Sequence, residues 1–204
     1  MKIDRIIGGA VQTCTYFVVN EITHECVVVD PNEETKPIID YILDNELKPV
    51  AVLLTHGHFD HIGGVSAIKK LGAKVYMSKE DAWQITAPEQ MAAFFGLKIE
   101  AFEVDKFIKE PDLLDLAGFK FKVLDTPGHT EGGLAFVVDE YIFTGDTIFM
   151  QSYGRTDFKT GDFKKLKSSI LKILSLDGEY TLFPGHGDVS YSSFERIYNP
   201  IMED

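Results

Sequence analysis

Cysteine, positive charge and long apolar segments are all scarce in this sequence of 204 residues. The two cysteines, Cys14 and Cys26, are too few for a disulfide framework, and both lie in apolar, strand-like segments where a reduced thiol behaves as a small hydrophobic group. We therefore expect buried, reduced thiols, with a single disulfide as the less favoured alternative. No apolar segment approaches the roughly 20 residues that span a bilayer, and the first residues lack the pattern of a signal peptide. These absences predict a cytoplasmic protein.

The shortage of positive charge restricts the partners. Lysine and arginine together number 20 against 32 aspartates and glutamates, which gives a formal net charge of −12. Phosphate backbones and anionic membranes are normally bound through basic patches. We therefore expect no nucleic acid and no membrane as partner. The oligomeric state is left open.

The chain does contain enough apolar residues, 45%, to bury a full core. Helical spacing and turn signals predict helices at Glu33–Leu47, Ile62–Leu71, a less regular stretch from Glu80 to Phe95, Phe163–Leu174 and Ser192–Tyr198. Apolar and β-branched runs predict strands at Thr15–Val19, Cys26–Val29, Val50–Leu54 and Lys74–Met77, several short ones between Leu113 and Phe143, and one near Leu182. With helices beside strands in both halves and no repeat or linker, we expect one α/β domain over residues 1–204, a four-layer αββα sandwich of two packed sheets with helices outside.

The main candidate for metal binding is the loop His56-x-His58-x-Asp60-His61. It follows a predicted buried strand, and the carboxyl ends of strands are where α/β sheets place ligands. Imidazole nitrogen and carboxylate oxygen suit Zn²⁺ and similar ions. Four such groups cannot easily serve one ion. His56 and His58 point the same way in an extended segment, whereas Asp60 and His61 begin the next turn and can face a second ion.

Three more candidate ligands each follow a strand end at a glycine. They are His129 after Pro-Gly, His186 after Pro-Gly, and Asp146 after Gly145. Taken singly, each is more often a surface or turn residue than a ligand. Together with the histidine loop, they predict a metal centre.

The order of these motifs resembles that of the metallo-β-lactamase superfamily along nearly the whole chain, beginning with Asp30-Pro31 after a strand. The resemblance implies a metal site at one edge of the two sheets. The implied first metal is held by His56, His58 and His129, the second by Asp60, His61 and His186, and Asp146 bridges them. Asp60 and Asp146 would then be the catalytic carboxylates. Asp30 resembles the buried aspartate that supports the metal loop, with a plain Asp-Pro turn as an equal alternative.

More narrowly, Gly145–Phe149, Gly154–Asp157 and the closing Asn199-Pro200 resemble the glyoxalase II-like, or hydroxyacylglutathione hydrolase, branch. The resemblance implies a thioester hydrolase with two divalent ions, zinc first and iron or manganese as alternatives, and a hydroxide that bridges them. The charge of two such ions exceeds that of two carboxylates and one hydroxide, and the surplus can stabilise an oxyanion. Glyoxalase II carries a further helical domain that helps bind glutathione, whereas 18 residues follow His186 here. We therefore expect no such domain, which leaves glutathione specificity open.

Other functions remain compatible with these residues. Persulfide dioxygenases share the Gly-Arg-Thr-Asp-Phe stretch found at Gly154–Phe158, and that resemblance would assign one iron to His56, His129 and Asp146, a two-histidine, one-carboxylate arrangement. A lactonase, a β-lactamase or a metal-binding module without turnover are further alternatives.

Two more predictions concern the substrate cleft. Arg155 is a candidate anchor for an acidic substrate, although a salt bridge with Asp157 is the slightly favoured interpretation. The apolar stretch Met91–Phe95 is a candidate cleft wall, but at helical spacing such a stretch is more often part of the core.

Overall fold

The structure, a computed structural model, describes residues 1–87 and 91–203. Over these residues the strands, numbered in chain order, are β1 Lys2–Gly8, β2 Thr13–Val19, β3 Glu25–Val29, β4 Lys48–Leu53, β5 Lys74–Met77, β6 Lys106–Phe107, β7 Leu113–Leu116, β8 Phe119–Asp125, β9 Leu134–Val138, β10 Tyr141–Gly145, β11 Ile148–Phe149, β12 Ser152–Tyr153, β13 Thr181–Pro184 and β14 Ser190–Tyr191. The α-helices are α1 Thr35–Asp44, α2 Phe59–Ile62, α3 Val65–Lys69, α4 Phe163–Leu174 and α5 Ser192–Tyr198, with 3₁₀-helices at Ala82–Thr86, Met91–Phe95 and Pro200–Met202.

In the part of the chain that the structure describes, the strands form two six-stranded sheets and one small hairpin. The first sheet has the order β1-β2-β3-β4-β5-β6, the second has the order β14-β13-β10-β9-β8-β7, and β11 pairs with β12. One apolar cluster fills the space between the sheets, a second lies between the first sheet and α1 and α3, and a third lies between the second sheet and α4. The predicted αββα sandwich is therefore confirmed.

The second strand of the first sheet, β2, shows why its sequence lacks an alternation of apolar and polar residues. Successive side chains of a strand point to opposite faces. In β2, Tyr16 and Val18 enter the cluster between the sheets, whereas Phe17 and Val19 enter the cluster under the helices. Because both faces are buried, every position is apolar or small.

The prediction of a single helix over Ile62–Leu71 is wrong. The segment is divided into α2 and α3 at Gly63-Gly64, and α2 begins inside the metal loop. The loop 31–33 packs against this break, because a Cβ at Gly63 would lie 2.5 Å from Glu33 Cβ and the Gly64 N–H donates to Pro31 O at 2.8 Å. The turn is therefore set by a long-range contact that helical spacing does not reveal.

Other predicted element boundaries also differ from the observed ones. The predicted helical stretch from Glu80 to Phe95 consists of two short 3₁₀-helices, and its residues 88–90 lie outside the described residues. Pro49, expected to precede a strand, lies within β4, where the register with β3 is irregular and the missing N–H is tolerated. The helix predicted at Glu33–Leu47 is shorter at both ends, as α1.

The topology brings several strand ends to one edge. In the second sheet β8 and β10 both run antiparallel to β9, and β13 runs parallel to β10, so the three carboxyl ends share an edge. The first sheet contributes the end of β4 there, and the Leu134 N–H donates to Thr55 O at 2.7 Å between the two sheets. Among the described residues, none of the helices is both long and apolar enough to span a membrane.

Candidate metal centre

The ends of β4, β8, β10 and β13 place all seven predicted ligands in one cluster. His58 has an extended backbone and precedes α2, which carries Asp60 and His61 as the loop turns back. The ligand atoms of His56, His58 and His129 lie within 4.8 Å of one another, and so do those of Asp60, His61 and His186. The structure thus groups the six residues in the two sets of three that the sequence analysis expected.

In the first set, His58 Nδ1 and His129 Nε2 are 2.9 Å apart. In the second set, Asp60 Oδ2 lies 3.2 Å from His61 Nε2 and 3.3 Å from His186 Nε2. Such close approach of ring nitrogens and carboxylate oxygens is the arrangement that ligands of a shared cation adopt.

Asp146 reaches both sets. Its Oδ1 lies 3.4 Å from His61 Nε2, and its Oδ2 lies 3.5 Å from both His129 Nε2 and His186 Nε2. One carboxylate therefore faces a nitrogen of the first set and two nitrogens of the second set, as expected of a bridging ligand.

Asp30 orients one histidine of each set. Its Oδ2 accepts hydrogen bonds from His61 Nδ1 at 2.9 Å and from Thr55 Oγ1 at 2.6 Å, while its Oδ1 accepts from the Thr55 N–H at 2.8 Å. Because the Thr55 hydroxyl donates to the carboxylate, it accepts from His56 Nδ1, 3.0 Å away. Both histidines therefore carry the proton on Nδ1 and present the lone pair of Nε2 to the site.

Two further groups orient ligands in the same way. The carbonyl oxygen of Arg155 lies 2.7 Å from His129 Nδ1 and, being only an acceptor, holds the ring proton there. The hydroxyl of Thr13 donates to Asp60 Oδ2 at 2.7 Å. The sequence did not predict either role, because Thr13 and Arg155 reach the site from distant segments of the chain. For Thr55, which orients His56, its place directly before that histidine was a local signal.

The donor set fits divalent metal ions. Among the described residues, His56 Nε2 and Asp146 Oδ1 are buried and have no hydrogen-bond partner, a costly arrangement unless an ion binds there. Burial and then the neighbouring histidines hold the pKa of His56 well below its ordinary value and lower that of His58 to about 3. Both rings are therefore neutral at physiological pH and can ligate zinc, iron or manganese.

Two glycines let the ligand loops approach so closely. A Cβ at Gly185 would lie 2.1 Å from Asp146 Oδ1, and one at Gly145 would lie 2.3 Å from Thr55 Oγ1. Gly145 also has φ of +50°, a conformation that disfavours other residues. Packing thus requires glycine before both Asp146 and His186, and the positive φ favours it further at Gly145.

A cavity of about 510 Å³ opens beside the cluster. His58, Asp60, His129, Asp146 and His186 form its floor, and its walls carry the apolar and aromatic side chains Val11, Phe59, Trp83, Ala87, Phe149, Tyr153 and Phe158. A volume of this size is typical of small-molecule sites. The metal cluster therefore lies at the bottom of a mainly apolar pocket.

Comparison with known proteins agrees with this geometry. The family model described as metallo-beta-lactamase superfamily matches residues 8–186. The chain belongs to this superfamily.

Its relatives include hydroxyacylglutathione hydrolase GloC of Haemophilus influenzae, 37% identical over 182 residues that cover 86% of either chain. Among solved structures, BLEG-1, described as a B3 metallo-β-lactamase, is 31% identical with a TM-score of 0.93 over the whole of both chains. TTHA1623, crystallised in a di-iron-bound form, is 33% identical with a TM-score of 0.86 over 97% of this chain and 98% of that one. By class, the chain is a metallo-hydrolase of the metallo-β-lactamase superfamily.

Arg155 and the stretch Met91–Phe95, the two predicted contributors to the substrate cleft, lie in different surroundings. Arg155 lies on the cavity wall, 57% exposed, with a two-pronged ion pair to Asp157 at 2.6 Å for each contact, and its guanidinium lies 4.3 Å from the centre of the Phe158 ring. Its role as a substrate anchor stays a prediction.

The stretch Met91–Phe95 does not form part of the core in the way that the sequence favoured. Ala92 is buried, but Phe94 is 85% exposed and Phe95 is 38% exposed and stacks on Phe59. None of the described side chains of residues 92–95 is among those that line the cavity. Helical spacing was misleading here because the segment is a 3₁₀-helix on the surface.

Proposed function

We propose that the protein hydrolyses a small-molecule thioester of the hydroxyacylglutathione type, using two divalent ions, zinc first and iron or manganese as alternatives. The observation that carries this proposal is the position of Asp146, whose two carboxylate oxygens face both histidine sets. The di-iron form of TTHA1623 and the activity named for GloC support it.

Two ions held by His56, His58 and His129 and by Asp60, His61 and His186, with Asp146 between them, would supply hydroxide from water at neutral pH and stabilise negative charge on a carbonyl oxygen. Phe158 lies against His58 and His129, with ring centres 5.2 and 6.2 Å apart, and forms an apolar wall that limits the access of bulk water. A thiolate is a good leaving group, so no protein acid is needed at the sulfur.

The side chains of the cavity walls support a particular class of thioester substrate. The aromatic side chains Trp83, Phe149 and Tyr153 offer apolar contact to an acyl or thiol group. Arg155 lies at the same cavity, and a substrate carboxylate would bind to it in place of Asp157, its ion-pair partner. An anionic thioester with an apolar portion satisfies both features. We also infer a cytoplasmic location, supported by the two free, buried thiols.

The test is hydrolysis of S-lactoylglutathione and a panel of acyl thioesters by protein with measured metal content. Asp146→Asn keeps the shape of the side chain but removes the charge, and it should lower kcat by at least about 100-fold together with the metal stoichiometry. Asp112→Asn is the matched control, because Asp112 accepts a backbone N–H from Lys109 at 3.2 Å on an exposed turn. Metal-loaded protein that cleaves no thioester of the panel contradicts the proposal.

A second candidate is a persulfide dioxygenase with one iron on His56, His129 and Asp146. It is favoured by the contact of Gly154–Phe158 with the first histidine set, since the Arg155 carbonyl holds His129 and the Phe158 ring contacts His58. One iron per chain and oxygen consumption with glutathione persulfide are its expected results. Two metal ions per chain and thioester hydrolysis exclude it.

A further inference from the structure

A buried carboxylate outside the ligand cluster joins two of its loops. Asp81 lies between β5 and the 3₁₀-helix Ala82–Thr86, and it is 0% exposed. Burial raises the pKa of this carboxyl group, although hydrogen bonds from neighbouring groups work against the rise. An ionisable side chain in such a place is costly unless its oxygens are well bonded. The burial of Asp81 therefore requires hydrogen bonds that offset its cost.

The two oxygens of Asp81 bind two different metal loops. Oδ2 accepts the Gly57 N–H at 2.9 Å, and Oδ1 accepts the Gly132 N–H at 2.9 Å. Gly57 lies between the ligands His56 and His58, whereas Gly132 follows the ligand His129 in the next turn. Asp81 thus contacts the backbone of both loops that supply the first histidine set.

Glycine is needed at both points of contact. A Cβ at Gly57 would lie 2.8 Å from the Asp81 carbonyl oxygen, and one at Gly132 would lie 2.1 Å from Ser78 Oγ and 2.7 Å from Asp81 Oδ1. Ser78 in turn accepts the Asp81 N–H at 3.3 Å. The segment from Ser78 to Asp81 therefore fits closely between the two loops and limits how far each can move.

We propose that Asp81 is a positioning residue that sets the distance between the His56–His58 loop and the His129 turn, and thereby the affinity of the first metal site. The proposal rests on the metal centre of the proposed function but not on its substrate. Its test is metal binding, so a protein that binds two ions and hydrolyses no thioester would overturn the proposed function and leave this inference standing.

The test is titration of metal-free protein with Co²⁺, followed by visible absorption and by calorimetry. Asp81→Asn offers one acceptor and one donor, so one of the two loop N–H groups loses its partner. We expect one of the two Co²⁺ equivalents to bind about 10- to 100-fold more weakly, the range for groups that orient ligands, with an altered ligand-field spectrum. The other equivalent should bind as in the parent protein.

The matched control is Asp105→Asn. Asp105 also accepts a backbone N–H, from Val75 at 2.9 Å, but at the far end of β5 and away from the metal loops. Its Co²⁺ titration should equal that of the parent within about twofold. Parent-like binding of both equivalents by Asp81→Asn, or an equal loss in Asp105→Asn, overturns the proposal.

Ser78→Ala covers the case in which Asp81→Asn does not fold. It removes one hydrogen bond that holds Asp81 and leaves no charge unpaired. We expect the same Co²⁺ equivalent to weaken about threefold, as the loss of one neutral hydrogen bond would give. Unchanged affinity for both equivalents in a folded Ser78→Ala protein then overturns the proposal.

Discussion

Two substitutions can separate the effect of Asp30 on the first histidine set from its effect on the second. Asp30→Asn keeps an oxygen for the Thr55 N–H but turns an NH₂ group toward His61 Nδ1 and Thr55 Oγ1, which are both donors. Thr55→Val has nearly the same shape and removes only the hydroxyl that connects His56 to Asp30. The first change therefore disturbs a ligand of each set, and the second disturbs the first set alone.

The magnitudes follow from the hydrogen bonds lost. A hydrogen bond to a charged group contributes about 1.5–3 kcal/mol. Asp30→Asn loses two of three such bonds, so we expect the metal-free protein to lose about 3–6 kcal/mol of unfolding free energy. Thr55→Val loses one such bond to Asp30 and one neutral bond from His56, which contributes about 0.5–1.5 kcal/mol, so we expect a loss of about 2–4.5 kcal/mol. At ~2–4 °C for each kcal/mol in a chain of this size, both shifts in Tm are measurable.

Metal titration provides the decisive assay. Asp30→Asn should weaken both equivalents of Zn²⁺ or Co²⁺, each by about 10- to 100-fold, whereas Thr55→Val should weaken one. Calorimetric titration of the two variants beside the parent resolves the equivalents. If Thr55→Val weakened both equally, or if Asp30→Asn spared one, the hydrogen-bond chain through Thr55 would not connect the sets in this way.

Three further outcomes are expected. Burial raises the pKa of Cys26 to about 12 and also raises that of Cys14, so at pH 8 neither thiol should react with a disulfide reagent until the protein unfolds; rapid reaction of the native protein would contradict this. Asn199→Ala removes hydrogen bonds to Ser152 O at 2.9 Å and to Phe149 O at 3.4 Å in the hairpin that forms a cavity wall, so steady-state kinetics should show KM raised about three- to tenfold and kcat changed less. Phe143→Ala leaves a cavity in the apolar cluster between the sheets, so denaturant unfolding should show a loss of about 3–5 kcal/mol of unfolding free energy. A loss below about 1 kcal/mol would mean that neighbouring side chains fill the cavity.

The sequence predicted those elements whose signals are local. The helix expected at Phe163–Leu174 has the observed bounds of α4, because Leu166, Ile170 and Ile173 follow helical spacing and Asp162 caps the first turn by accepting the Lys165 N–H. The strands predicted at Thr15–Val19 and Cys26–Val29 were likewise found, as parts of β2 and β3, which pair antiparallel across a short polar turn. Local spacing and turn chemistry sufficed in both places.

The features that were missed depend on distant contacts. The break between α2 and α3 exists because the loop after Asp30 packs on Gly63, and no property of Gly63 itself demands it. Thr13 orients Asp60 across 47 positions of the sequence. Nothing in the sequence around Asp81 distinguishes it from the exposed acidic residues, because its burial depends on the assembled loops. Ligand chemistry is visible in a sequence, whereas the groups that position ligands become visible only when the strands are assembled.

The electrostatics of the second histidine set are compatible with the second ion of the proposed function. Burial lowers the pKa of His61, but the charges of Asp60, Asp146 and Asp30 outweigh it and raise that pKa well above its ordinary value. The buried carboxylates of Asp30 and Asp60 and the partly exposed one of Asp146 thus surround His61, and positive charge among them is favourable. A second divalent ion would supply such charge and would leave His61 neutral, with its Nδ1–H donating to Asp30 and its Nε2 free to be a ligand. The arrangement of Asp30 therefore fits the two-metal centre of the proposed function.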